Sequence, residues 1–130
     1  MSAYRPAIFA FVGWAAFAAT TAFAAPLSKT LDPDTDGTID LQEAQAAAGT
    51  LFDKLDKDHE GTLDARELRA RIGKKALSAA DPDKDSTLTK DEYLGLVAER
   101  FKAADVNADG TVDAKELHSK AGEALLKLLK

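Results

Sequence analysis

Five carboxylates, Asp32, Asp34, Asp36, Asp40 and Glu43, stand within the twelve residues DPDTDGTIDLQE, around a single glycine, Gly37. The pattern returns as DKDHEGTLDARE at 56–67, DPDKDSTLTKDE at 81–92 and DVNADGTVDAKE at 105–116, the starts lying 24, 25 and 24 residues apart. Of the 22 acidic residues only Asp53, Glu99 and Glu123 fall outside these segments. Like charges about 4 Å apart repel by ~4 kcal/mol at an effective dielectric of 20, so acids crowded in this way call for a cation. A hard ion takes roughly 6–8 oxygen ligands at about 2.3–2.6 Å, more than one rigid element supplies, and so needs a chain that wraps around it.

Each segment resembles the twelve-residue calcium loop of an EF-hand. That resemblance implies side-chain oxygens at positions 1, 3 and 5, a backbone carbonyl at 7, a ligand at 9 and a bidentate glutamate at 12. Loop 1 would then bind through Asp32, Asp34, Asp36, Thr38, Asp40 and Glu43, and loop 2 through Asp56, Asp58, Glu60, Thr62, Asp64 and Glu67. Loop 3 would use Asp81, Asp83, Asp85, Thr87, Thr89 and Glu92, and loop 4 Asp105, Asn107, Asp109, Thr111, Asp113 and Glu116. Position 6 must turn sharply with positive φ, which Gly37, Gly61 and Gly110 accept without a Cβ penalty. Ser86 holds that position in loop 3, at a cost of roughly 1–2 kcal/mol, and Thr89 replaces the acid at position 9. Loop 3 is therefore expected to bind most weakly. Loops 1 and 2 bring five carboxylates to one ion and loops 3 and 4 bring four, which favours a trivalent guest in the first two without excluding calcium.

The elements that must hold these loops are short. Only 12, 13 and 12 residues separate successive loops, too few for two helices and a linker at about 1.5 Å rise per residue. Each spacer is expected to be one shared helix. Ala44, Ala48, Leu51, Phe52 and Leu55 recur at helical spacing in the first, as do Leu94, Val97, Phe101 and Ala104 in the third. Leu117, Ala121, Leu125 and Leu128 form a core-facing stripe in the last segment. Gly49, Gly73 and Gly95 mark places where these helices could kink or divide. Position 8 is apolar in every loop (Ile39, Leu63, Leu88, Val112), as expected if paired loops exchange a short β-bridge with side chains turned inward. The expected fold is all-α: a compact four-EF-hand helical domain with short shared helices and small β-bridges.

Residues 1–24 read as a signal peptide. Arg5 precedes the apolar run AIFAFVGWAAFAA, and Ala22 and Ala24 give the small-x-small pattern of a cleavage site. An uncleaved anchor is the rival reading, disfavoured because the strongly apolar part is short. The domain is then 25–130, exported to the periplasm, free of the membrane once cleaved. It has no cysteine and hence no disulfide to staple it. The formal net charge of −5 argues against nucleic acid as a partner.

The chain as a whole resembles the lanmodulin family, periplasmic lanthanide-binding EF-hand proteins of methylotrophic bacteria. The likeness rests on the exported leader, four loops, spacers of about a dozen residues, Pro33 and Pro82 at position 2, and Asp40, Asp64 and Asp113 at position 9. It implies selective binding of trivalent lanthanides such as lanthanum, cerium or neodymium, with or in place of Ca2+, and a disorder-to-order change on binding. A metal-dependent homodimer is one assembly left open. Lys57 and Val106 depart from the proline, Thr89 from the position-9 aspartate, Ser86 from the glycine, Glu60 from the usual aspartate and Asn107 from an acid, so the four sites are expected to be unequal. The alternatives are a periplasmic calcium sensor or buffer and a dockerin-like interaction module. Sensor grooves are rich in methionine, whereas residues 25–130 have none, and dockerin modules usually carry two repeats and an aspartate at position 12. No nucleophile, base and orienting group can be assembled, so an enzyme is not expected. His59 and His118, like Lys74 and Lys75, read as solvated surface.

Overall fold

A computed structural model describes residues 27–69 and 71–130. The expected signal peptide lies outside the described residues. Among those described, no helix is long and apolar enough to cross a membrane.

Each loop runs into a three-residue strand: β1 (Thr38–Asp40), β2 (Thr62–Asp64), β3 (Thr87–Thr89) and β4 (Thr111–Asp113). Between and after them lie α1 (Leu41–Leu55), α2 (Lys74–Ala80), α3 (Lys90–Ala104), α4 (Ala114–Leu117) and α5 (Lys120–Leu126). The strands pair antiparallel as β1 with β4 and β2 with β3, so loop 1 meets loop 4 and loop 2 meets loop 3. Spacer length dictates this choice. A 15-residue helix holds the loops at its two ends roughly 22 Å apart, too far for loops 1 and 2, or loops 3 and 4, to pair. With the start of α1 beside the end of α3, and the end of α1 beside the start of α3, the two helices run antiparallel and carry one loop pair at each end.

The position-8 residues meet in these ladders as Ile39 opposite Val112 and Leu63 opposite Leu88, all fully buried. Around them the core takes in Ala44, Ala48 and Phe52 of α1 and Tyr93, Val97, Phe101 and Ala104 of α3. Phe52 and Tyr93 meet edge to face with ring centroids 5.7 Å apart. The Tyr93 hydroxyl donates to the Leu128 carbonyl at 2.8 Å, fastening the C-terminal segment over α3. Burial pushes that phenol up to about 12, with Arg71 opposing. Arg71 itself donates to the carbonyls of Lys127 and Lys130 at the end of the same segment.

The expectation of one helix per spacer holds for α1 and α3, while the second spacer divides at Gly73, one of the glycines marked as a possible break. After Glu67 the chain makes hydrogen-bonded turns through Ile72, then restarts as α2 behind Gly73, whose backbone is extended (φ −82, ψ 166). Leu68 and Leu77 supply the reason. Nine residues apart, they would face opposite sides of a straight helix, yet both are buried in the core. The break lets both point inward.

A second break, this one unforeseen, divides the last segment. Ser119 caps α5 by accepting from the Gly122 N–H at 3.0 Å while its hydroxyl donates to the Glu116 carbonyl at 2.6 Å. Gly122 is required at this corner, since a Cβ there would lie 2.1 Å from the Glu116 carbonyl oxygen. Leu117, Leu125 and Leu128 still reach the core as their stripe requires.

Candidate metal centres

The four loops share one internal frame. In each, the position-1 aspartate lies beneath the turn and receives two backbone donors. Asp32 accepts from Asp36 N–H (3.1 Å) and Gly37 N–H (3.0 Å), and Asp56 from Glu60 (3.1 Å) and Gly61 (3.0 Å). Asp81 accepts from Asp85 (3.3 Å) and Ser86 (2.8 Å), and Asp105 from Asp109 (3.1 Å) and Gly110 (3.0 Å). Position 6 has positive φ in every loop, including Ser86 at 68°, as its role in the turn requires. Position 4 is left-handed as well, at Thr35, His59, Lys84 and Ala108 with φ between 56 and 60°. Nothing in those four residue types announces it. Such conformations cost of order 1–3 kcal/mol each and persist only where the surroundings enforce them.

Position 5 closes the middle of the loop. Asp36, Asp85 and Asp109 each accept from the N–H and hydroxyl of the position-7 threonine, Thr38, Thr87 and Thr111, at 2.8–2.9 Å. These donors hold Asp36 and Asp109 below the usual carboxylate range. No such bond joins Glu60 to Thr62, the extra methylene having displaced the carboxylate.

At the far end, positions 9 and 12 form a reciprocal cap. Glu43 accepts from Asp40 N–H (2.9 Å) while Asp40 accepts from Glu43 N–H (2.7 Å), and Asp64 with Glu67, Thr89 with Glu92, and Asp113 with Glu116 repeat the exchange. The sequence carries this signal as [D/T]-x-x-E in every repeat. Each position-9 side chain is thus occupied at the start of the next element. Each position-12 carboxylate is held by one oxygen, with the other left to act elsewhere.

Ligand atoms converge in three groups whose members lie within 4.8 Å of one another: Asp32, Asp34 and Asp36; Asp56, Asp58 and Glu67; Asp81, Asp83 and Asp85. Glu60 is absent from the loop 2 group, its place taken by Glu67. Loop 4, with neutral Asn107, forms none of these groups; there the Asn107 amide donates to Asp109 at 2.9 Å.

Asp32, Asp56 and Asp81 are only 4, 6 and 5 % exposed. None is paired with a base, the one salt bridge among the described residues being Lys90 with Asp53 (3.0 Å). Burial works to raise Asp56 and Asp81, yet both are held low: Asp56 chiefly by the Gly61 N–H, Asp81 by its bond with Asp83 and the Ser86 N–H. Asp83 is raised by that shared hydrogen bond with Asp81. Asp34 is also raised: the Asp36 N–H opposes this, but the bond shared with Asp32, desolvation and the charges of both neighbours outweigh it. Glu43 is raised by desolvation, against the Asp40 N–H and with repulsion from Asp34, Asp40 and Asp32. Carboxylates gathered this closely repel one another, and an all-oxygen set of this kind suits a hard cation.

A family model described as EF hand matches residues 49–72 and 96–119, which enclose loops 2 and 4. The acidic groupings and these matches fit an EF-hand metal-binding protein. No curated protein matches the chain. His59, His118, Lys74 and Lys75 are exposed, in keeping with their reading as surface.

Proposed function

We propose that this chain is an exported, periplasmic metal-binding protein that takes hard ions in all four loops, prefers trivalent lanthanides over calcium, and folds as it binds. The observation that carries the reading is the set of buried, unpaired position-1 carboxylates Asp32, Asp56 and Asp81, each surrounded by further acids. Backbone donors keep Asp56 and Asp81 ionised, and a cation would relieve the mutual repulsion of the acids gathered around them, so occupancy of the loops and persistence of the fold become one equilibrium. The ligands would be the oxygens of positions 1, 3, 5, 9 and 12 with the position-7 carbonyl. Five carboxylates in loops 1 and 2 reward the higher-charged ion. The protein acts by holding the ion and has no catalytic role.

Lanthanum set against a large excess of calcium, followed by the far-ultraviolet helical signal and by bound metal, tests the preference. Retention of lanthanum supports the proposal. Displacement by calcium at comparable concentration would replace it with a calcium buffer, the reading that the EF hand matches at loops 2 and 4 favour.

A further inference from the structure

The loops are not closed alike. In loop 2 the second oxygen of Glu67 accepts from the Lys57 N–H at 3.0 Å, and in loop 4 that of Glu116 accepts from the Val106 N–H at 3.1 Å, with Asn107 N–H at 3.4 Å. These bonds span the ends of the loop and make it a ring. Loops 1 and 3 carry Pro33 and Pro82 at the same position, and proline has no N–H to donate. Glu43 and Glu92 are therefore held by the reciprocal cap alone.

We propose that the position-2 N–H groups of Lys57 and Val106 are latches, positioning groups that set the bidentate glutamate over the ion site in loops 2 and 4, whereas Pro33 and Pro82 leave loops 1 and 3 to be closed by the ion itself. The inference rests on the metal-binding reading. Each carboxylate oxygen has two lone pairs, so Glu67 and Glu116 can keep the backbone bond while turning the remaining lone pairs to a cation. The latch thus removes part of the ordering that binding would otherwise have to supply. The one converging acid group that includes a position-12 glutamate is that of loop 2, where the latch draws Glu67 beside Asp56 and Asp58. Loops 2 and 4 are expected to fill before loops 1 and 3 wherever their acid sets are comparable.

The residue before each latch already has a backbone that tolerates a following proline. Asp56 and Asp105 have ψ of 82 and 79°, close to the 87° of Asp81, which already precedes a proline. Val106 is 76 % exposed, so its side chain packs against little.

The test compares Val106→Pro with Val106→Ala, and Lys57→Pro with Lys57→Ala so that loss of the lysine charge cancels. Lanthanum is titrated into the full chain and followed at the Gly37, Gly61 and Gly110 amides, one reporter in each of loops 1, 2 and 4. Losing a hydrogen bond to a charged oxygen should weaken the affected loop roughly tenfold relative to its alanine control. Loop 1 should be unmoved in both. Equal affinity in the proline and alanine variants, with lanthanum still bound, would overturn the latch alone. A wild-type chain that binds no lanthanum or calcium would overturn the metal-binding reading as well. Should a proline variant fail to fold, Pro33→Ala decides: the new amide at position 33 should exchange slowly in the loaded chain, like those of Lys57 and Val106, and exchange at the solvent rate would contradict the proposal.

Discussion

Loops 1 and 3 differ from loops 2 and 4 in how the same twelve-residue frame is closed and in what it leads to. The first two carry a proline at position 2 and run straight into 15-residue helices, α1 and α3. The other two are entered from those helices, close on a backbone N–H at position 2, and leave into turns or the four-residue α4. Each ladder joins one loop of each kind. A 15-residue helix thus fixes one end of every loop. Charge divides the loops differently, five acids in loops 1 and 2 against four in loops 3 and 4, so closure and charge are separable by mutation.

The largest expected effect breaks one pair and spares the other. Leu63→Ala empties the centre of the ladder between loops 2 and 3, and should cost about 2–5 kcal/mol. Metal binding at loops 2 and 3 should fall together, more than at loops 1 and 4, as read from the Gly61 amide against those of Gly37 and Gly110. Equal weakening of all four would mean that the two pairs are one cooperative unit.

Next comes the anchor of α3, the helix that leaves loop 3. Burial keeps Tyr93 protonated to about pH 12, above its ordinary value of 10.0. Because the folded chain then holds a proton that the unfolded chain releases, stability should decline as pH rises from 10 towards 12. Tyrosinate absorbance and thermal melts of the chain from residue 25 onward, where Tyr93 is the one tyrosine, measure both. Titration near pH 10 without loss of stability would show that the Tyr93 bond to Leu128 does not hold that segment.

The smallest effect sharpens the contrast between loop 3 and the rest. Ser86→Gly relieves a left-handed residue and should strengthen loop 3 by about 1 kcal/mol, seen as improved terbium emission sensitised by the neighbouring Tyr93. An unchanged titration would assign the weakness of loop 3 to Thr89 instead.

Much of this was legible in the residues. The repeat located the loops, the apolar position 8 foretold inward-facing bridges, and the 3.6-residue periodicity traced α1 and α3. The partners of the bridges were not legible, because pairing follows from the reach of a helix rather than from any side chain at the ladder. The break in the second spacer was legible only as a possibility at Gly73, because periodicity within a short window could not reveal that Leu68 and Leu77 must share a core. The left-handed position 4 left no trace in Thr35, His59, Lys84 and Ala108. The latch was present as the difference between Pro33 and Lys57, yet its meaning depended on where the second oxygen of Glu67 comes to rest.

The most direct test of the account is the far-ultraviolet circular dichroism of the chain stripped with chelator and then given lanthanum to saturation. The crowding of like charges around Asp32, Asp56 and Asp81 predicts a weakly helical metal-free chain whose helical signal rises steeply as metal is added. A spectrum equally helical before and after addition would contradict it.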